Sequence, residues 1–412
     1  MAAPLPTELY RLPWTLTDNI LSWLEPTKRC NLYCEGCYSK NDPNSDKTVE
    51  QVRADMDAFV SQRTVDSISI AGGDPLVHPR IVDIVRMIHD EYGLKPVLNT
   101  NALALTPELT RQLKDAGCYG FTFHIDSSQR RPHWRDKNEI ELCELRLHYA
   151  RQVAEVGGMS VAFNSTVFAD TLHYVPELVK WAEEHMDIVH NMVFILFRTS
   201  RMEEHDYFAN GKPVDTGQLV YYGQEKNPAP LFAQEVVETI QDKADPAFMP
   251  AAYLGGTKDP NTFKWLLTGR IGHPGKTLGY AGPKTMEIIQ TGNHFINKRY
   301  LAYVRPNELR HGRRLVLGLS AFDKRLRPLI PKVLLQPWKR QYYQSILIIQ
   351  PVDWTKHHEA NMCDGCPDMT VHNGKLVWSC RLEEMLNYGC FLSAGPKKKV
   401  EEVAKTDTAV AT

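Results

Sequence analysis

The sequence predicts an α/β fold, a partial (β/α)6 barrel followed by an irregular α+β C-terminal extension, on three observations. Strand-like and helix-like segments alternate between residues 21 and 198, the spacing of right-handed strand–helix–strand units in a parallel sheet. Stretches rich in Cys, Gly, Asn and Asp stand where those strands end, the pole at which such sheets collect their chemistry. No apolar run approaches the ~18 residues of a membrane span.

Leu21–Leu24 is apolar and reads as the first strand. A helix over about Thr48 to Phe59 follows, then a strand at Val65–Ala71, a helix at Pro79–His89 and a strand at Pro96–Thr100. Thr106-Pro-Glu-Leu opens the next helix with a capping Thr and Pro at the first position, and Gly117 closes it. Tyr119–Ile125 is a strand, Ile140–Glu155 a helix, Val161–Val167 a strand, Val175–His185 a helix and Met192–Phe197 the sixth strand. Residues 201–345 interleave Pro and Gly with short amphipathic stretches, and their fold stays unassigned. The chain thus divides into an N-terminal segment (1–20), the barrel (21–200), an insert or substrate region (201–345), a cysteine-rich region (346–393) and a small, charged tail expected to be disordered (394–412).

An apolar fraction of 43% and a charged fraction of 24% are ordinary for a globular protein, and a net charge of −1 gives no global pull toward nucleic acid. No signal peptide precedes Asp18, so a cytoplasmic location is expected. In that setting the nine cysteines read as metal ligands before disulfides, with Cys118 and Cys143 as small buried hydrophobes.

Cys30, Cys34 and Cys37 form a C-x3-C-x2-C triplet in which three thiolates can wrap one soft metal centre. Zinc favours paired C-x2-C knuckles with a fourth ligand nearby, and none lies close in sequence. The run Cys30-Asn-Leu-Tyr-Cys-Glu-Gly-Cys-Tyr38 resembles the cluster loop of radical SAM enzymes. Three further stretches match that family in order: Ser67-Ile-Ser-Ile-Ala-Gly-Gly-Asp-Pro75, Val97-Leu-Asn-Thr-Asn101 and Gly120-Phe-Thr-Phe-His-Ile-Asp126.

The resemblance implies a [4Fe–4S] cluster on Cys30, Cys34 and Cys37 with one open iron that binds S-adenosylmethionine. Reductive cleavage then yields a 5′-deoxyadenosyl radical that takes hydrogen from a substrate C–H bond. It also implies a reductant such as flavodoxin or ferredoxin. Gly72, Gly73, Asp74 and Pro75 are expected beside the methionine end, and Asn99, Asn101, Asp126 and Asn164 at the ribose hydroxyls or the carboxylate. Asp74 stands where the family usually has Glu, and Gly36 where it often has an aromatic, with Tyr38 as a replacement ring. His124 is a pocket candidate, and no catalytic residue is assigned.

A second cysteine group is Cys363, Cys366, Cys380 and Cys390. Asn373-Gly374 between two β-prone runs signals a two-residue hairpin that places Cys380 opposite Pro367, beside Cys366. This resembles the auxiliary-cluster extensions (SPASM or Twitch type) of radical SAM enzymes and implies a second [4Fe–4S] cluster; structural zinc stays open as the alternative.

Between Arg310 and Arg340 nine basic residues face one acid, Asp323, amid Leu, Val, Ile and Trp338. Basic plus apolar points to an anionic amphiphile or a peripheral membrane contact. The substrate classes left open are a lipid or isoprenoid, a ribosomally made peptide, or another small molecule. An iron–sulfur electron carrier or zinc-binding protein is the alternative outside enzymology.

Overall fold

The computed structural model describes residues 4–197, 205–219 and 231–397. Six parallel strands form its first half: β1 (Leu21–Thr27), β2 (Ser67–Gly72), β3 (Lys95–Thr100), β4 (Gly120–His124), β5 (Ser160–Val167) and β6 (Asn191–Leu196). They pair in sequence order, each with the next. Between them run α1 (Val49–Gln62), α2 (Ile81–Asp90), α3 (Pro107–Asp115), α4 (Cys143–Val156) and α5 (Val175–Glu184). The α/β fold with a parallel sheet is therefore as expected, and the sheet does not close into a full barrel.

Local chemistry sets the element ends. Thr48 Oγ1 accepts from the Gln51 N–H at 3.2 Å, and Thr106 Oγ1 from the Leu109 N–H at 3.1 Å, so α1 and α3 start on capped donors. Each helix turns an apolar stripe to the sheet: Val52, Met56 and Phe59 on α1, Ile81, Ile84, Val85 and Ile88 on α2, all buried. At about 1.5–3 kcal/mol for each large apolar side chain, such stripes dominate the stability of the layer. Cys118 and Cys143 lie in this core.

The sheet continues past β6. A helix α6 (Ala233–Lys243) leads to β7 (Ala252–Leu254), β8 (Trp265–His273) and β9 (Lys276–Tyr280). Helices α7 (Pro283–Asn297), α8 (Pro306–Leu309), α9 (Gly312–Leu319) and α10 (Leu329–Leu334) precede β10 (Tyr342–Ile349). β10 joins β6 in parallel, β8 joins β10 antiparallel and β7 joins β8. Three glycines that read as breakers here, Gly269, Gly272 and Gly279, are strand residues at close approaches: a Cβ on Gly269 would meet the Tyr343 hydroxyl at 2.1 Å.

At the C-terminus, the expectation of disorder from residue 394 needs correction. Ser393–Pro396 pairs antiparallel with His205–Ala209, so backbone pairing orders that stretch despite its composition. Residues 398–412 lie outside the described residues.

Candidate functional site: a cysteine loop at the C-terminal pole

The chain leaves β1 at Thr27 and enters the cysteine loop at once, so the triplet sits at the C-terminal pole of the sheet. Asn41 fastens both sides of Cys30: its Oδ1 accepts from the Cys30 N–H at 3.0 Å and its Nδ2 donates to the Cys30 carbonyl at 2.9 Å. The Cys30 sulfur accepts from the Leu32 N–H at 3.4 Å and from Asn101 Nδ2 at 3.6 Å. The Cys37 thiol donates to the Ser39 carbonyl at 3.1 Å.

All three thiols are half-buried. Burial pushes Cys30 up to about 11, with Asp74 and Cys37 adding to it, and raises Cys34 and Cys37 through burial and neighbouring negative groups. Three soft donors that resist ionisation alone need a cationic centre to become thiolates together. That donor set fits an iron–sulfur cluster with one position left open.

The Gly72-Gly-Asp-Pro75 turn locks onto the base of this loop. The Gly73 N–H donates to the Thr27 carbonyl at 2.9 Å and the Asp74 N–H to the Arg29 carbonyl at 2.8 Å. A Cβ on Gly73 would meet the Arg29 carbonyl oxygen at 2.2 Å, and Gly72 has φ +101°, so neither glycine tolerates a side chain. Asp74 is fully buried. Its carboxylate accepts from the Thr100 hydroxyl at 2.8 and 2.9 Å, from the Asn101 N–H at 2.8 Å and from the Leu76 N–H at 2.9 Å. It ties the ends of β2 and β3 together.

The other strand-end residues form two groups. Ser69, Asn99, Thr122 and Asn164 make a polar patch inside the barrel, where Asn99 donates to Ser69 and Asn164 to Asn99 at 3.2 Å. Nearer the loop, Asn101 donates to Asn31 Oδ1 at 2.7 Å. Asp126 is buried, and its carboxylate meets His124 Nε2 at 2.7 Å, the Ser128 N–H at 3.1 Å and the Thr166 N–H at 3.2 Å. Burial raises its pKa, but His124 and these donors outweigh that and hold it below the usual carboxylate range.

Several site residues carry no motif in the sequence. Glu25 on β1 is buried, its Oε1 bound by Trp23 Nε1 at 3.2 Å and the Tyr38 hydroxyl at 3.1 Å. Burial raises its pKa. Tyr38 also donates to the Gly72 carbonyl at 3.3 Å, so it braces the loop against the turn. Beside Gly36 stands a stacked pair, Phe168 and Phe197, with centroids 4.7 Å apart; a Cβ on Gly36 would meet Phe197 at 3.1 Å. Buried Arg146 pairs with Glu139 at 2.5 Å and donates to the Ile125 carbonyl at 2.6 Å, fixing the turn before Asp126.

The second cysteine group stands on the expected hairpin. Met369 pairs with Trp378, Thr370 with Val377, Val371 with Leu376 and His372 with Lys375, around a turn with φ +50° at Asn373 and +72° at Gly374. The Ser379 N–H donates to the Asp368 carbonyl at 3.1 Å, extending the register toward Cys380. Cys363 and Cys366 are buried and hydrogen-bonded to one another, which lowers the first and raises the second. Cys390 is half-buried behind the helix α11 (Leu382–Tyr388). From α11, Glu383 binds Lys28 Nζ at 2.5 Å and the Lys40 N–H at 3.3 Å, joining this region to the first cysteine loop.

A cavity of about 430 Å³ occupies the concave face of the sheet. The polar patch forms part of its wall, and most of the rest is apolar, including Trp23, Val193, Leu267, Ile289 and Leu347.

Residues 24–193 match the Radical SAM superfamily. AdoMet-dependent heme synthase of Methanosarcina barkeri is 27% identical over 214 residues, covering 51% of this chain and 59% of that protein. The 7,8-dihydro-6-hydroxymethylpterin dimethyltransferase of Methanocaldococcus jannaschii is 25% identical over 192 residues, 43% of this chain and 36% of that protein. The solved structure of Streptococcus suis SuiB bound to precursor peptide SuiA has 15% identity and a TM-score of 0.36, covering 45% of this chain and 40% of that one. The chain thus spans little more than half, or less, of the length of these relatives.

Proposed function

From the premise that residues 24–193 are a radical SAM domain and that members of this superfamily are enzymes, we propose that the chain abstracts hydrogen from a C–H bond of a lipid or isoprenoid. Cys30, Cys34 and Cys37 would hold a [4Fe–4S] cluster, which when bound and reduced would supply the electron for cleaving S-adenosylmethionine to methionine and a 5′-deoxyadenosyl radical. Radical SAM enzymes need a reductant, and a flavodoxin or ferredoxin suits this role.

The protein's own part is binding and orientation. Gly72, Gly73 and Pro75 offer close backbone approach to the methionine end, and Asp74 acts on it only by fixing the turn. Asn101 and Asp126 lie nearer the loop, where they can meet the carboxylate or ribose, with Asn99 and Asn164 deeper. The Phe168–Phe197 pair beside Gly36 offers the aromatic face that the loop itself lacks. Cys363, Cys366 and Cys380, with Cys390 as a fourth ligand, are proposed to hold a second [4Fe–4S] cluster. Zinc is the competing occupant.

The cavity carries the choice of substrate: its apolar wall suits a hydrocarbon chain, with a polar patch toward the cysteine loop. The 310–340 stretch supports a peripheral place at the membrane. Anaerobically reconstituted protein with dithionite should form 5′-deoxyadenosine, and the rate should rise on adding a polyprenyl or phospholipid extract. With a perdeuterated lipid, deuterium should appear in the product. No 5′-deoxyadenosine at all overturns the chemistry; formation indifferent to lipid overturns the substrate class.

A further inference from the structure

We infer that the N-terminal pole of the barrel is a docking face for an anionic bilayer, and that a lipid chain enters the cavity from that pole, opposite the cysteine loop. The inference rests on reading the cavity as a chain-binding site and assigns the surface that feeds it.

The segments that cap this pole can be placed contact by contact. After α7, Arg299 donates to the Gly93 carbonyl at 3.2 Å, and the Ala302 N–H to Asp66 at 3.1 Å. Lys95 reaches the Tyr303 carbonyl at 2.8 Å, and Arg305 the Gly158 carbonyl at 3.4 Å. Asp66, Gly93, Lys95 and Gly158 stand at or just before the starts of β2, β3 and β5. The Gly312 N–H then donates to the Gln341 carbonyl at 2.9 Å, just before β10, and Arg325 to the Pro250 carbonyl at 2.8 Å, just before β7. Residues 298–325 therefore cross the N-terminal ends of the strands, while the cysteine loop leaves a C-terminal end.

The stretches that lead into and out of this cap, 295–296 and 334–338, carry exposed apolar groups that a water-facing surface does not need. Phe295 (78% exposed), Ile296 (76%), Trp338 (75%) and Leu335 (73%) are four of the five most exposed large apolar side chains among the described residues. Phe322 at 65% and Leu334 at 55% add to them. Lone exposed hydrophobics are ordinary, but a concentration on one face marks an interaction surface.

Charge names the partner. Residues 295–340 hold twelve Lys and Arg against Glu308 and Asp323. Asp323 is buried and accepts from the Gly282 N–H at 2.8 Å and the Thr285 hydroxyl at 2.6 Å, so it does not neutralise the surface. Among the described residues none of the twelve is in an ion pair; Arg299, Arg305, Arg313, Arg325 and Lys332 donate to backbone carbonyls instead. Unneutralised Lys and Arg interleaved with exposed Phe, Leu and Trp are what a monotopic surface presents to anionic headgroups and the acyl boundary.

The cavity reaches the same segments. Glu308, His311 and Arg314 line it and are also solvent-exposed, which places a mouth there, and Leu315 and Leu301 form its throat. An anionic headgroup at His311 and Arg314 with its chain running past Leu315 toward Asn99 and Asn164 would bring carbon, not charge, toward the cysteine loop.

The test uses the full chain and two readouts. Sedimentation with phosphatidylglycerol-containing vesicles should capture the protein, with much less on pure phosphatidylcholine and a loss at high salt. The variant Phe295→Ser, Ile296→Ser, Leu335→Ser, Trp338→Ser should bind at least tenfold more weakly and keep the wild-type rate of lipid-free 5′-deoxyadenosine formation. A control with Leu103→Ser and Leu386→Ser, which lie toward the other pole, should bind as wild type. Leu315→Trp should keep vesicle binding but lose the stimulation by lipid. Equal recovery on both vesicle types, or an unchanged quadruple variant, overturns the docking face. Undiminished stimulation in Leu315→Trp overturns the access route. Because vesicle binding needs no cluster, failure of the radical chemistry would leave the docking result readable by itself.

Discussion

The two cysteine groups differ in what holds their thiols in place. Cys30, Cys34 and Cys37 lie within eight residues on a loop, and their surroundings are borrowed: Asn41, Asn101 and the Gly72–Pro75 turn bind the loop from outside it. A closed hairpin lies between Cys366 and Cys380 and brings the two ends together by register, and the thiols of Cys363 and Cys366 are buried and bonded to each other. The first arrangement leaves all three cysteines half-buried; the second buries Cys363 and Cys366 and leaves Cys380 half-buried. A half-open triplet suits a centre that must meet a ligand, and an enclosed group suits one that serves structure or electron passage.

The sharpest way to break that contrast is Cys34→Ala. One of three ligands is lost from a loop that contributes no barrel core, so the protein should stay folded by circular dichroism while 5′-deoxyadenosine formation falls at least a hundredfold. Formation at the wild-type rate would show that the triplet is not the reactive centre.

The matching change in the other group should do less to the chemistry and more to metal content. Reconstituted wild type is expected to hold about eight irons, two clusters of four. The double variant Cys363→Ala, Cys366→Ala should hold about half and still bind S-adenosylmethionine. Zinc in the wild type, with no loss of iron in the variant, would reassign the hairpin as a zinc site.

How far these groups were legible follows from their construction. The six strands and five helices of the first half were readable because apolar periodicity and caps such as Thr48 and Thr106 act locally. The hairpin register was readable because Asn373-Gly374 dictates its own turn. β8 to β10 were not, because their order in the sheet depends on partners far away in sequence and on glycines kept small by Tyr343 and Leu329. Glu25, His124 as the partner of Asp126, and the Glu139–Arg146 pair were likewise invisible: burial and pairing, not residue type, give them their roles.

A smaller effect separates binding at the first group from its scaffold. Asp74→Ala removes an acceptor from the Thr100 hydroxyl and the Asn101 and Leu76 N–H groups, all buried or nearly so. Leaving such donors unpaired costs about 2–4 kcal/mol in total. Urea unfolding should show that loss, and iron content after reconstitution should fall with it while the hairpin cysteines keep theirs. An unchanged midpoint would mean that the turn holds without its carboxylate.

The smallest effect lies in the barrel beneath both groups and decides whether acid inactivation belongs to the site. His190, just before β6, is buried; its Nδ1 accepts from the Val161 N–H at 2.9 Å, and burial lowers its pKa to about 4, with Arg310 adding to the shift. The unfolded chain, with an ordinary histidine near 6.5, therefore takes up the proton first as pH falls. Stability should be fully present above the unfolded value and decline between about 6.5 and 4, by about 1 kcal/mol from pH 7 to pH 5.5. His190→Gln keeps an acceptor for Val161 and cannot titrate, so its unfolding midpoint should vary less over that interval. If wild type and variant lose stability in parallel, the decline has another source, and a loss of 5′-deoxyadenosine formation at the same pH would then have to be sought among the groups around the cysteine loop.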